Sequence, residues 1–130
     1  MQPTRGPRVA VTAQDVLRFA LEITALVGWG IVGWAAFDNS VARWLGVVGL
    51  PAIAAVAWGT FRVPGDASAS GRAPVPVRGW VRLTIEVVVL LGAAAALLAL
   101  GRLWFGAVLG GLVALHYVAT WTRVRWLLAQ

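Results

Sequence analysis

Two stretches of this chain, residues 23–37 and 87–101, contain no charged side chain, and each belongs to a longer apolar run. Four such runs, near 16–37, 44–62, 80–101 and 103–122, have the length that a bilayer demands. About 20 residues at a 1.5 Å rise cross a hydrocarbon core roughly 30 Å thick. No water is there to bind backbone polar groups, so each run must take a form that bonds its own amides, the helix. Composition agrees: the 130 residues are 60% hydrophobic and 12% charged, with a mean hydropathy of +0.81. A water-soluble domain of this size exposes too many residues to hide so much apolar surface. The expected fold class is an all-α membrane protein with four transmembrane helices.

Into this apolar background the chain places two charge pairs. Arg18 and Glu22 stand in LRFALEITALVG, and Arg82 and Glu86 stand in VRLTIEVVVLLG, with the same spacing of four. Aligning one on the other uses an offset of 64, and Trp58 then falls within one residue of Trp121. The match predicts a duplicated helical hairpin. Because each half holds two helices, both halves begin on the same membrane side. They are parallel-related hairpins with a pseudo-twofold axis along the membrane normal.

The eleven basic residues are all arginine, the net charge is +6, and there is no cysteine. Absent cysteine excludes disulfides and thiolate chemistry. Arginine without lysine, beside abundant Ala, Gly, Val and Trp, suits a GC-rich bacterial genome. Positive charge of this size can indicate nucleic acid, but these arginines flank membrane runs, so topology explains them and no nucleic-acid partner is expected. Arg5, Arg8, Arg18, Arg62, Arg72, Arg78, Arg82, Arg123 and Arg125 fall on one side of a four-span layout, and only Arg43 and Arg102 on the other. The positive-inside bias therefore predicts a multi-pass protein of the inner or plasma membrane, with both termini cytoplasmic. Aromatic belts are expected at the outer interface (Trp34, Phe37, Trp44, Trp104, Phe105) and at the inner one (Trp58, Phe61, Trp80, Trp121, Trp126).

Four segments follow. Residues 1–14 form a cytoplasmic tail, which does not read as a signal peptide because no cleavage site follows the first run. Residues 15–62 are hairpin 1, 63–79 a flexible cytoplasmic linker rich in Pro, Gly, Ser and Ala, and 80–126 hairpin 2. Thr12 and Asp15 have the spacing of a capping box at the first helix. Short connections at Asp38-Asn39-Ser40 and Gly101-Arg102 require antiparallel, packed neighbours.

The chain also carries Leu17-Arg18-Phe19-Ala20-Leu21-Glu22 at the head of its first run, Trp58-Gly59-Thr60-Phe61 with Pro64 at the close of its second, and Leu83-Thr84-Ile85-Glu86 in its third. With these motifs, over most of residues 15–122, it resembles the YrdB family of small bacterial membrane proteins. The resemblance implies four spans and a role that is not assigned. The fourth run, including His116, lies outside the shared motifs.

The candidate site is Glu22, Glu86, Arg18 and Arg82. Residues four apart share a helix face, so each Arg meets its own Glu, or the pairs cross as Arg18–Glu86 and Arg82–Glu22. Both glutamates lie about 9 Å inside the inner half, where an unpaired carboxylate is costly. One reading makes the pairs fix helix register and orientation in a structural or accessory bundle. Another makes the glutamates bind protons or a cationic solute in a small transporter. A third gives the inner-leaflet arginines to lipid head groups. His116, the single histidine, is either a packed hydrogen-bonded residue or part of a proton relay. Gly106 and Gly110 form a GxxxG spacing for close packing, and Asp38 and Asp66 read as solvated loop residues. No enzyme motif is present, so no catalysis, metal or cofactor is expected. The expected partners are the lipid bilayer and either another membrane protein or a second copy.

Overall fold

The computed structural model describes residues 11–66 and 72–130. Five helices run α1 (Ala13–Ala35), α2 (Ser40–Thr60), α3 (Gly79–Ala99), α4 (Leu103–Ala119) and α5 (Trp121–Leu128), with two-residue strands β1 (Phe61–Arg62) and β2 (Val75–Pro76) between α2 and α3. Three helices, α1, α2 and α3, are long and apolar enough to cross a membrane, or four if α4 and α5 count as one bent span. The expected fourth run is broken near its end. A bend of 73° separates α4 from α5 at Thr120.

Each helix boundary has a local cause. Thr12 caps α1 by accepting from Asp15 N–H, while the Asp15 carboxylate accepts from Thr12 N–H at 2.9 Å, which completes the expected capping box. Asn39 caps α2 by accepting from Ala42 N–H at 2.8 Å. Gly101 ends α3 at a φ of 76°, which lets Arg102 N–H reach Leu97 O and Gly101 N–H reach Leu98 O. That double bond satisfies the last carbonyls of α3 and turns the chain directly into α4. Pro51 sits inside α2 and cannot donate to Val47 O, a loss that spanning helices tolerate.

Small residues set the packing. A methyl group at Gly33 would overlap the carbonyl of Gly46, and one at Gly46 the carbonyl of Gly33, so α1 and α2 cross there backbone to backbone. Gly28 lets α1 meet Ala93 and Leu97 of α3, while Gly106 and Gly110 receive Ala94 of α3. The GxxxG spacing thus serves the α3–α4 hairpin. α3 is the central element, and the core gathers Leu21 and Ala25 of α1, Leu90, Ala93 and Leu97 of α3, and Leu109 and Val113 of α4. Outward faces keep large apolar side chains exposed, among them Val48 and Ile53 of α2 and Trp104 of α4.

The segment expected to be a flexible linker is anchored at both described ends. β1 pairs in parallel with β2, Phe61 opposite Val75, and Val77 N–H donates to Arg62 O. Val63 and Asp66 are buried. Expectations for residues 67–71 and for the tail before residue 11 lie outside the described residues.

Candidate functional site

Four of the expected site residues come together at the end of the bundle that holds the start of α1 and α3. Arg18 Nε donates to Glu22 Oε1 at 3.0 Å and Arg82 Nε to Glu86 Oε1 at 3.0 Å, so both intrahelical pairs form with the same atoms. Of the two crossed pairs one is present, Arg18 Nη2 to Glu86 Oε1 at 3.5 Å. Among the described residues no ion pair joins Arg82 to Glu22. The inequality follows from position: Glu86 faces the bundle centre and is 1% exposed, whereas the Glu22 side chain is 26% exposed.

Glu86 is closed from above by a residue read from the sequence only as a topology signal. Arg123 of α5 donates from Nη1 to Glu86 Oε2 at 3.1 Å and from Nη2 to Oε1 at 2.7 Å. The same guanidinium meets Asp66, Nε to Oδ1 at 3.0 Å and Nη2 to Oδ2 at 2.6 Å. Arg123 is therefore held by two carboxylates, each in the two-point geometry that makes arginine–carboxylate contacts strong. Tyr117 adds its hydroxyl to Glu86 Oε2 at 3.3 Å. The reading of Asp66 as a solvated loop residue is corrected: it is 1% exposed and anchors the loop after β1 to α5.

Arg82 spans two jobs. Its Nη1 donates to Trp58 O at 2.5 Å and to Phe61 O at 2.8 Å, carbonyls of the last turn and cap of α2 that lack helical partners. Its guanidinium carbon lies 4.8 Å from the Trp58 ring centre, and that of Arg18 lies 5.8 Å away. Trp58, expected in the inner aromatic belt, stacks on the protein's own cations. Arg82 is 1% exposed, so it ties the end of hairpin 1 to the start of hairpin 2 inside the protein.

Three guanidiniums (Arg18, Arg82, Arg123) and three carboxylates (Glu22, Glu86, Asp66) make this group, so its formal charge sums to zero. Both oxygens of Glu86 are occupied by donors. Mutual neutralisation is what permits six ionic groups to gather among apolar helices. His116 is buried one helical position away, but its Nδ1 meets Gln14 Nε2 at 2.9 Å and its ring lies edge-on to Tyr117 at 5.5 Å. With the amide nitrogen as donor, the ring proton sits on Nε2. Among the described residues no three His, Asp or Glu side chains converge in a metal-binding arrangement.

Arg123, Asp66, Tyr117 and Gln14 escaped the sequence reading. Charge balance held a usable signal for one of them. Of five acidic residues, Asp15 caps α1, Asp38 lies at the opposite end, and Glu22 and Glu86 are paired, which leaves Asp66 for any further buried arginine. Nothing in the run 103–122 announced the bend that brings Arg123 inward.

No solved structure matches the chain significantly. The uncharacterised protein YrdB of Bacillus subtilis (strain 168) is 36% identical over 115 residues, which cover 88% of this chain and 93% of that protein. Residues 16–114 match a family described as "protein of unknown function (DUF2568)". That match covers most of α1, all of α2 and α3 and most of α4, including both Arg-Glu pairs, and the chain belongs to this YrdB-type family of unassigned function.

Proposed function

We propose that this protein is a structural or accessory component of the bacterial cell membrane, a four-span bundle without catalytic activity, locked at its cytoplasmic end by the ionic group around Glu86. The observation that carries this reading is the occupancy of Glu86. Its carboxylate is buried and receives Arg82, Arg123 and Tyr117, with Arg18 at its edge. A carboxylate so enclosed offers no coordination site to a passing cation. The cluster instead joins α1, the end of α2, α3, α5 and the loop after β1.

In this layout α4 and α5 form the fourth crossing and its surface-lying end, and the hairpins are related by a pseudo-twofold axis. The repeated Nε–Oε1 pairs at 3.0 Å support that relation. The exposed apolar side of α2 is free for lipid, for another membrane protein or for a second copy. The absence of cysteine makes the topology easy to test. A single cysteine at Asn39 should react with an impermeant maleimide on whole cells, and one at Arg78 only after permeabilisation.

The function itself is tested in liposomes. Wild-type protein should leave an imposed proton gradient as it is in empty vesicles, while Glu86→Gln should lower the unfolding temperature in detergent. Proton or cation flux by the wild type that Glu22→Gln or Glu86→Gln abolishes would replace the structural reading with a transport one.

A further inference from the structure

Glu22 does not share the enclosure of Glu86. Among the described residues its side chain accepts a hydrogen bond from Arg18 alone, and it lines a cavity of about 220 Å³ between α1, α2 and α3. Arg62 of β1 lines the same cavity, with Leu26, Ala54, Trp58 and Val89 completing most of the wall. Arg62 Nε is buried and has no hydrogen-bond partner among the described residues. Nor does Arg62 form an ion pair with Glu22 among the described residues. Where Arg123 closes directly on Glu86, the arginine at the end of hairpin 1 leaves space between itself and its glutamate. A second cavity, of about 300 Å³, shares Ala54 and Val89 with the first and continues between α2 and α3 past Trp29, Leu50, Ile53 and Val88. No charged residue lines it. The two cavities adjoin at Ala54 and Val89, and taken as one groove they have a dipolar end and an apolar end.

We propose that this groove holds one ethanolamine phospholipid, its ammonium on Glu22, its phosphate on Arg62 and one acyl chain along the α2–α3 cavity. Charge complementarity selects the head group. One carboxylate and one guanidinium on a single small cavity call for a ligand with both charges a short bridge apart. A purely anionic head satisfies Arg62 but sets a like charge beside Glu22. A choline head has no N–H to donate, whereas an ethanolamine ammonium brings three donors to a carboxylate. The phosphate supplies an anion to the Arg62 guanidinium, which lines the cavity and has no ion-pair partner among the described residues. The adjoining apolar cavity gives the chain a place that a free zwitterion does not use. This assignment goes beyond the structural role of the Glu86 group and does not depend on it.

Native mass spectrometry of delipidated protein, reloaded with defined lipids, tests the assignment. The wild type should retain one ethanolamine lipid under activation that strips phosphatidylglycerol and phosphatidylcholine. Removing one charge-assisted contact, in Glu22→Gln or Arg62→Gln, should weaken retention about tenfold. Gly59 lines the head-group cavity, and a Cβ placed there meets nothing within 4 Å. Gly59→Leu therefore fills the space with both charges in place, and should lose the lipid while keeping its helix content by circular dichroism. Should a charge variant fail to fold, Gly59→Leu alone decides. Equal retention of phosphatidylglycerol, or full retention by folded Gly59→Leu, would overturn the proposal. Displacement by free phosphoethanolamine would also overturn it, because the head alone would then be the ligand.

Discussion

Arg123 grips Glu86 with both terminal nitrogens, at 3.1 and 2.7 Å, from a helix that turns 73° away from the one before it. The bend and the grip are one arrangement. A straight α4 would carry Arg123 on along its own axis. The break at Thr120 instead lays α5 across the start of α3, where Gly79 leaves room for the backbone of Leu127. Val124 and Leu127 are buried on that inner side, while Trp121 and Arg125 stay exposed. A helix with aromatic and basic residues on its outer side suits the membrane interface.

Removing the carboxylate at the centre should be severe. Glu86→Gln leaves buried Arg82 and half-buried Arg123 without their shared anion, and breaking a buried pair costs about 3–5 kcal/mol. For a chain of this size that corresponds to a fall of roughly 10 °C or more in unfolding temperature. Thermal unfolding in detergent measures it; an unchanged midpoint would show that the group contributes no stability.

Asp66 and Arg123 should prove energetically coupled. In a double-mutant cycle of Asp66→Asn and Arg123→Gln, the coupling energy is expected at about 1–3 kcal/mol, in the range seen for residues in one network. Asp66→Asn should also speed tryptic cleavage after the exposed Arg72, because the loop loses its tie to α5. Additive effects and an unaltered cleavage rate would contradict this.

Arg82→Lys should behave as a disruptive change. The guanidinium serves Glu86 from Nε and the carbonyls of Trp58 and Phe61 from Nη1, a spread that one ammonium does not cover. A loss of about 1–3 kcal/mol is expected, as for a buried polar group left unpaired. Arg125→Lys, on an exposed position, is the control and should be neutral.

Glycines in α1 and α4 should respond with opposite signs. Gly33→Ala forces apart the backbones of α1 and α2 and should cost about 1–3 kcal/mol. Gly111→Ala points into open space and should gain about 0.5–1 kcal/mol through helix propensity. Unfolding midpoints of the two variants should fall on either side of the wild type.

The sequence made the first three long helices, their approximate bounds and the capping box at Thr12 legible because these are local properties of hydrophobic runs and spacing. The pairing of Arg18 with Glu22 and of Arg82 with Glu86 was legible for the same reason, since i and i+4 share a helix face. Arg123 and Asp66 were not, because their partners lie 37 and 57 residues away and depend on where α5 points. An apolar run does not reveal a bend at Thr120, because the arginines that follow it suit a straight exit from the membrane as well as a turn. The contact of Trp58 with Arg18 and Arg82 was not legible for a related reason: a tryptophan near a span end suits lipid and cation equally until its neighbours are known.

The zero sum of the six charges at the bundle end has a consequence for a cell whose membrane is energised. A unit charge moved across the full membrane feels about 2.3 kcal/mol for every 100 mV. Three guanidiniums bound to three carboxylates present no net charge on which that field can pull. The lock proposed above should therefore hold the two hairpins equally firmly whatever the membrane voltage.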